Sequence, residues 1–176
     1  MKLVVVRHGQ TDYNKNHICQ GSIDVPLNEN GKQQALIINN VLADTKIDVV
    51  VSSTMKRAHE TAILIAPNHP IILDDRLVER RLGNYEGKSN MNLVFDKYED
   101  YYLNCSDDGV ENIQSVYQRI NDVIMELKAK YNDKTVLLVT HGSVSNVMYY
   151  YVNGIPENGI CSFRYLDNGQ YMELEI

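Results

Sequence analysis

The sequence predicts an α/β protein: a three-layer α/β/α sandwich whose central sheet is mostly parallel and carries an antiparallel C-terminal hairpin at its edge. Three observations lead to this fold class. Short runs of β-branched and aliphatic residues have no polar face, as in strands that are buried on both sides of a parallel sheet. Segments with helical spacing separate these runs, which is typical of strand–helix–strand units. Asn168-Gly169, near the end of the chain, is a strong signal for a hairpin turn.

The predicted strands are short apolar runs. Two of them flank Asn168-Gly169 and are expected to pair as the antiparallel hairpin: Cys161 to Leu166 and Tyr171 to Ile176. The three runs that we assign to the parallel part of the sheet are Leu3 to Val6, Ile47 to Val51 and Thr135 to Thr140.

Four helices are predicted between and after these strands. The clearest spans about Val110 to Tyr131, where apolar residues recur every three or four positions. Asn28 or Asn30 is available as the N-cap of the first helix, and Gly154 is a stop signal for the last. The other three helices are expected at Gly31 to Ala43, Thr54 to Ala66 and Val144 to Val152.

Length, composition and charge narrow the class of protein. The 176 residues fit one domain, 1–176, with 44% hydrophobic and 23% charged residues, as in ordinary globular proteins. The net charge of −6 argues against nucleic acid or an anionic membrane as a partner. The N-terminal run Leu3 to Val6 is too short for a signal-peptide core, and the three cysteines form no paired motif, so we expect a cytoplasmic protein. The sequence does not indicate an oligomeric state.

Charged and polar side chains follow the predicted parallel strands. Ligands of open α/β sheets bind beyond the carboxyl ends of the strands, so these side chains are expected to meet at one edge. A glycine follows each histidine and removes a Cβ, which allows a close approach of backbone and ligand. The residues concerned are Arg7 and His8 after the first strand, Arg57 after the second and His141 after Thr140.

This set of side chains favours a phosphoryl group over a metal ion. Arg7 and Arg57 would repel a divalent cation, and a planar guanidinium pairs with phosphate through two parallel hydrogen bonds. A histidine in such surroundings can be the nucleophile. The sequence contains no P-loop, dinucleotide-binding or serine-hydrolase motif. We therefore expect neither a bound metal nor a cofactor.

A series of motifs spans residues 3 to 142 and begins with LVVVRHGQTDYN at Leu3 to Asn14. It continues with Gln20-Gly21, Asp24, Pro26-Leu27, Gly31, Ser52-Ser53, Arg57-Ala58, Thr61-Ala62, Leu77, Glu79, Gly83, Glu86-Gly87 and His141-Gly142. In this order the motifs resemble the histidine phosphatase superfamily, the phosphoglycerate mutase-like proteins. The resemblance implies the phosphoglycerate mutase-like fold and a phosphoryl-transfer activity that requires no metal.

The resemblance also implies the roles of the site residues. His8 would take the phosphoryl group as phosphohistidine, and Glu79 would protonate the leaving oxygen and then activate water. The attacking nitrogen of His8 must then be unprotonated, so we expect its other ring nitrogen to donate to a backbone carbonyl. The groups that would hold the transferring oxygens are Arg7, Arg57, His141 and the amide of Asn14. Further candidates for substrate contacts are Gln20, Gly21 and Gly142.

Three functions remain open at this point. The first is a metal-independent phosphatase that binds a small phosphorylated metabolite and releases inorganic phosphate. The second is a cofactor-dependent phosphoglycerate mutase, whose pattern the pair Glu79-Arg80 resembles, although the interval from Glu79 to His141 is short for a mutase. The third is an inactive module that binds phosphorylated ligands. The sequence also suggests a second anion contact, at Arg80, Arg81 and Lys88, and a helix at Lys97 to Asn104 that could cover the pocket; whether Tyr98 to Asn104 forms a lid stays open.

Overall fold

The computed structural model of the chain describes residues 1–91, 96–161 and 166–176. Within these ranges five strands form one sheet: β1 (Lys2–Arg7), β2 (Val49–Ser53), β3 (Ile71–Asp74), β4 (Thr135–Thr140) and β5 (Tyr171–Glu175). The order across the sheet is β3-β2-β4-β1-β5. Strands β1 to β4 pair in parallel, and β5 pairs antiparallel with β1 at the edge. The predicted fold class, a mostly parallel sheet with an antiparallel C-terminal edge, is confirmed.

The helices of the described residues lie on both faces of this sheet. They are α1 (Asp12–Lys15), α2 (Glu29–Val41), α3 (Lys56–Ile65), α4 (Asp96–Glu99), α5 (Ile113–Tyr131) and α6 (Gly142–Asn153). One apolar core joins the sheet to α5 and α6, and a second joins the opposite face to α2 and α3. None of these helices is long and apolar enough to cross a membrane.

The apolar run in β1 shows why the central strands carry no polar face. Leu3 and Val5 belong to the core under α5 and α6, whereas Val4 and Val6 belong to the core under α2 and α3. All four side chains are fully buried. A strand between two helical layers must be apolar on both sides, and this requirement produces the uninterrupted runs on which the fold prediction depends.

Helices α2, α3, α5 and α6 agree with the four predicted between and after the strands, and caps mark the ends of two of them. Asn28 is the N-cap of α2, since its side chain accepts a hydrogen bond from the Gly31 amide. Gly154 ends α6 with a positive φ of 85°. The stretch from Asp74 to Ser89 contains two single turns of 3₁₀ helix, Asp75–Leu77 and Gly83–Tyr85.

Two parts of the sheet differ from the sequence-based expectation or lie beyond it. Strand β3 is not predicted, because it has four residues at a sheet edge and leaves Ile72 and Leu73 about half exposed. The predicted strand Cys161 to Leu166 falls on residues 162–165, which lie outside the described residues. Its expected partner is present as β5.

Candidate active site

The two histidines of the predicted site follow neighbouring strands. In the register of β1 and β4, Arg7 stands opposite Thr140, so His8 and His141 leave the sheet side by side. Their ring centroids are 5.1 Å apart in an edge-on arrangement. The parallel register therefore brings together two residues that are far apart in the sequence.

A cavity of about 370 Å³ opens at this edge of the sheet. Apart from His141, which lies against His8, every predicted site residue lines it: Arg7, His8, Asn14, Gln20, Gly21, Arg57, Glu79 and Gly142. Sequence reasoning missed several other lining residues, namely Ile18, Leu82, Asn90, Asp96, Glu99 and Ser143; Cys19 also lines the cavity. The volume suits a small ligand.

His8 is held as a neutral imidazole whose Nε2 is unprotonated. Its Nδ1 lies 2.7 Å from the carbonyl oxygen of Gly9, and because a carbonyl can only accept, Nδ1 carries the proton. The Nε2 atom then has a lone pair, which accepts from Nε of Arg57 at 3.2 Å. Burial, followed by the charges of Arg57 and Arg7, lowers the pKa of His8 well below its usual value. The structure thus supplies the carbonyl partner that the sequence argument required.

Arg57 is fully buried and is held by backbone oxygens. Its Nη2 donates to Gly21 at 3.0 Å and its Nη1 to Ile23 at 2.8 Å. Burial lowers the pKa of Arg57 to about 10, which still leaves the group charged at neutral pH. Gly21 has a φ of +51°, and a Cβ there would overlap the side chain of Glu86. Gly21 therefore contributes through its backbone, which orients the guanidinium.

His141 is also fully buried, and its two ring nitrogens have different surroundings. Its Nε2 lies 2.8 Å from Oγ of Ser53. Its Nδ1 has no hydrogen-bond partner within the described part of the chain. Burial, followed by the charge of Arg57, lowers the pKa of His141 well below its usual value. The ring is neutral and has one nitrogen left for a ligand.

Helix α6 begins immediately after His141, and its first turn also faces the cavity. The first N–H groups of a helix have no partner within the helix and carry a partial positive charge. Gly142 and Ser143, the first two residues of α6, line the cavity. This helix end adds donors for an anion to the two guanidinium groups.

The amides of Asn14 and Gln20 are oriented by Thr11. The Oδ1 of Asn14 accepts from the Thr11 amide at 3.1 Å and from the Asn168 side chain at 3.2 Å. The hydroxyl of Thr11 lies 2.9 Å from Oε1 of Gln20. Because the oxygen of each amide is engaged, the nitrogen is the end available to a ligand in the cavity, and both amides are donors there.

Glu79 and Arg80 are neighbours with different surroundings. The half-buried Glu79 lines the cavity, and its Oε1 accepts from the backbone amide of Arg80 at 2.9 Å. The Arg80 side chain is 1% exposed and binds the Glu111 carbonyl, the Tyr98 carbonyl and the Glu99 carboxylate. The suggestion that Arg80 contacts a second anionic group is therefore wrong, because its guanidinium is used within the fold.

Part of the cavity wall is acidic. Asp96 and the buried Glu99, from the two ends of α4, line it together with Asn90. Arg81 and Lys88, the other two candidates for a second anion contact, are exposed residues that do not line the cavity. The predicted covering helix at Lys97 to Asn104 is only the single turn α4, which forms a wall of the cavity.

Among the described residues, no group of three or more His, Cys, Asp or Glu side chains is arranged to hold a metal ion. The charged groups nearest the His8 ring nitrogen are guanidinium groups. They favour an anion at this position.

Fold and site together define a class: an α/β protein with an anion-binding cavity, at the carboxyl ends of parallel strands, around a neutral histidine whose Nε2 is unprotonated. Comparison with known proteins specifies the class further. The family model of the histidine phosphatase superfamily (branch 1) matches residues 3–176. The chain belongs to the histidine phosphatase superfamily and is a phosphoric monoester hydrolase.

Its relatives carry the names of several phosphatases. Phosphoserine phosphatase 1 of Hydrogenobacter thermophilus is 31% identical, over 100% of this chain and 87% of the relative. The adenosylcobalamin/alpha-ribazole phosphatase of Escherichia coli is 27% identical, over 100% and 90%. A mycobacterial glucosyl-3-phosphoglycerate phosphatase, solved as a complex with VO3, superposes with a TM-score of 0.88 at 28% identity, over 99% of this chain and 92% of that structure.

Proposed function

We propose that this phosphatase hydrolyses small phosphomonoesters through a phosphohistidine on His8, without a metal ion, and that it does so in the cytoplasm. The observation that carries the proposal is the state of His8. Its Nδ1 proton is held by the Gly9 carbonyl, and its Nε2 lone pair lies in an anion-binding cavity beside Arg57. A neutral imidazole with this orientation attacks phosphorus once the Nε–H of Arg57 turns from Nε2 to a phosphoryl oxygen.

In the first step, Nε2 of His8 attacks the phosphorus atom. A P–N bond forms and the P–O bond to the leaving group breaks, with its electron pair going to the leaving oxygen. The carboxyl group of Glu79 donates a proton to that oxygen. The positive charge that develops on the His8 ring is shared with the Gly9 carbonyl through Nδ1–H.

The transition state of this step spreads charge over three phosphoryl oxygens, and cations and donors stabilise it. The Nε donor of Arg57 lies at the attacking atom itself. Arg7, the amides of Asn14 and Gln20 and the N-terminus of α6 border the same cavity. His141 adds a buried nitrogen that has no partner within the described residues.

In the second step, a water molecule attacks the phosphohistidine. The Glu79 carboxylate takes a proton from the water as the new P–O bond forms. The P–N bond breaks, its electron pair returns to Nε2 of His8, and inorganic phosphate leaves. The enzyme is then in its starting state.

The cavity suggests which leaving groups fit. The cavity that receives the phosphoryl group at His8 is also lined by Asn90, Asp96 and Glu99. Glu99 is already paired with Arg80, whereas the Asp96 carboxylate suits a hydroxyl or ammonium group of the substrate and repels a second phosphate. The relatives' substrates, as their names give them, include phosphoserine and glucosyl-3-phosphoglycerate. We therefore propose a monophosphorylated small metabolite as substrate and expect bisphosphates to be poor ones.

A phosphoglycerate mutase reaction is the remaining alternative. A mutase returns the phosphoryl group to its substrate, whereas a phosphatase gives it to water. The feature that suggested a mutase, the pair Glu79-Arg80, loses weight because the Arg80 side chain is committed to Glu99 and backbone carbonyls.

The test is a panel of phosphate esters assayed with purified protein, with and without EDTA. We expect release of inorganic phosphate that EDTA does not inhibit, a preference for monophosphates over bisphosphates, and no activity in His8→Ala. The exposed His69→Ala is the control and is expected to retain activity. Isomerisation of phosphoglycerates without phosphate release, or loss of activity in EDTA, would overturn the proposal.

A further inference from the structure

The hydroxyl group of Ser53 contacts the ring of His141 and the backbone of Met55. Ser53 is the last residue of β2 and is fully buried. Its Oγ is 2.8 Å from Nε2 of His141 and 3.3 Å from the backbone nitrogen of Met55. These are the contacts that the structure gives for this oxygen.

The direction of these hydrogen bonds follows from counting protons. The Met55 amide can only donate, so Oγ of Ser53 accepts from it. The Ser53 hydroxyl proton then needs an acceptor, and a buried hydroxyl without one is costly. Within the described residues the acceptor at hand is Nε2 of His141, which must therefore be unprotonated. A neutral His141 with a bare Nε2 carries its proton on Nδ1.

A second and independent observation concerns Nδ1 of His141. This atom is fully buried and has no hydrogen-bond partner in the described part of the chain. A buried ring nitrogen without a protein partner needs an explanation, and a role as donor to a ligand oxygen is one that fits its place beside His8. The ring lies 5.1 Å from that of His8, at the distance where a phosphoryl group on His8 would be its neighbour.

We propose that Ser53 is a positioning residue that fixes His141 as the Nδ1–H tautomer, so that His141 donates to an oxygen of the phosphoryl group. This inference rests on the proposed function of His8. The two histidines then carry their protons on the same atom, Nδ1, but present opposite ends to the substrate. His8, held by an acceptor, presents a lone pair; His141, held by a donor, presents an N–H group.

The other tautomer of His141 would oppose the reaction. With the proton on Nε2, the Ser53 hydroxyl would lose its acceptor and Nδ1 would turn a lone pair toward the phosphoryl oxygens. Like-signed partial charges would then repel each other where the transition state needs donors. The choice of tautomer thus separates a site that stabilises phosphoryl transfer from one that does not.

The direct test is the ¹⁵N NMR spectrum of the histidine rings in the ligand-free enzyme, with His141 assigned by comparison with His141→Gln. We expect a protonated Nδ1 and an unprotonated Nε2 on His141, and a change in the Nδ1–H signal when inorganic phosphate is added. A protonated Nε2 with a bare Nδ1, or a doubly protonated ring, would overturn the proposal.

The functional test compares four variants. Ser53→Ala and Ser53→Cys remove the strong donor, and the second of these keeps the volume of the side chain in case the first does not fold. We expect each to lower kcat/KM about 10- to 100-fold, as for other residues that orient a functional histidine. Ser53→Thr restores a hydroxyl and should recover most of the loss. Ser52→Ala is the matched control, because this equally buried hydroxyl donates to a backbone carbonyl.

The outcomes separate the proposal from the function on which it rests. Full activity in Ser53→Ala, or an equal loss in Ser52→Ala, would reject a role for Ser53 in positioning His141. If no phosphohistidine is found on His8 of the wild-type enzyme, the proposed function is rejected instead. The tautomer of His141 in the ligand-free spectrum is measured independently of that result.

Discussion

His8 and His141 are neutral at this site because burial and the neighbouring guanidinium groups oppose a second proton on either ring. Position in the sequence identifies both residues, since each follows a strand and precedes a glycine. Their chemistry comes from partners that folding supplies. The Gly9 carbonyl is local, but Ser53 and Arg57 reach these rings from other elements. This is why sequence reasoning finds the residues but not the tautomer of His141.

The lowered pKa values of the two histidines predict how stability depends on pH. Below the usual value of 6.5, the unfolded rings bind protons that the folded rings do not, so acid favours unfolding. We expect the free energy of unfolding to fall from pH 7 toward pH 5, by up to about 1.4 kcal/mol per pH unit for each histidine. Urea denaturation at a series of pH values measures this slope.

The control for this slope is a histidine outside the cavity. His141→Gln should reduce the dependence on pH, and the exposed His69→Gln should leave it as in the wild type. The explanation fails if His141→Gln and the wild type lose stability in parallel.

Glu79 is predicted to matter most for substrates with poor leaving groups. An alkoxide must be protonated as it leaves, whereas an aryl oxide departs more easily without an acid. We expect Glu79→Gln to lower kcat about 10²- to 10⁴-fold with an alkyl phosphate, and to slow phosphohistidine formation much less with an aryl phosphate.

Rapid-quench kinetics with both esters measures the effect of Glu79→Gln. Asp107→Asn, which changes a surface carboxylate paired with Lys97, serves as the control. Equal losses with the two esters would contradict the role of Glu79 as the acid.

At the scale of elements, two glycines join the loop after β1 to the start of α2. A Cβ on Gly9 would overlap the backbone of Gly31, and one on Gly31 would overlap the backbone of Gln10. From the sequence, Gly9 is predicted to allow a close approach of the backbone and a ligand. The close approach that the structure reveals is between two backbone segments, and it fixes the loop that carries His8.

Arg80 connects three segments around the cavity. Its guanidinium joins the loop of Glu79 to α4, through Tyr98 and Glu99, and to the Glu111 carbonyl before α5. Glu99 is 6% exposed, so removal of Arg80 takes the guanidinium partner from a buried carboxylate. We expect Arg80→Met to lower the free energy of unfolding by about 3–5 kcal/mol.

Urea denaturation checks this prediction. The control is Arg81→Met, at an exposed residue, which is expected to change the free energy of unfolding by about 0.5 kcal/mol or less. The double variant Arg80→Met/Glu99→Leu should be more stable than Arg80→Met alone, because it removes the buried charge as well. A double variant that is the less stable of the two would argue against this account of Arg80.

The elements that sequence reasoning missed or made too long are the short ones. Strand β3 and the one-turn helix α1 are not predicted, and α4 is predicted as a longer helix at Lys97 to Asn104. Each has four residues, too few to produce a periodic pattern. Their positions are set by contacts that are distant in the sequence, such as the pairing of β3 with β2. The acidic wall of the cavity comes from α4, so it could not be predicted from spacing alone.

At the scale of the whole molecule, the net charge of −6 describes the surface and not the cavity. Arg7 and Arg57 line the cavity together with the acidic residues Glu79, Asp96 and Glu99. Such an arrangement admits a small anion while the overall charge disfavours large polyanions. The fold class and the central strands can be predicted from the sequence because burial on both faces requires uninterrupted apolar runs. The acidic part of the cavity wall depends on contacts between residues far apart in the sequence.

The central claim is that the phosphoryl group passes through His8. The most direct measurement is mass spectrometry of peptides from Glu79→Gln enzyme quenched in alkali during turnover of an aryl phosphate. We predict one phosphoryl group on the peptide that contains His8, located on that residue, and none in His8→Ala. Phosphate release by the wild type with no phosphoryl group on His8 in either enzyme, or a phosphoryl group on another residue, would contradict the claim.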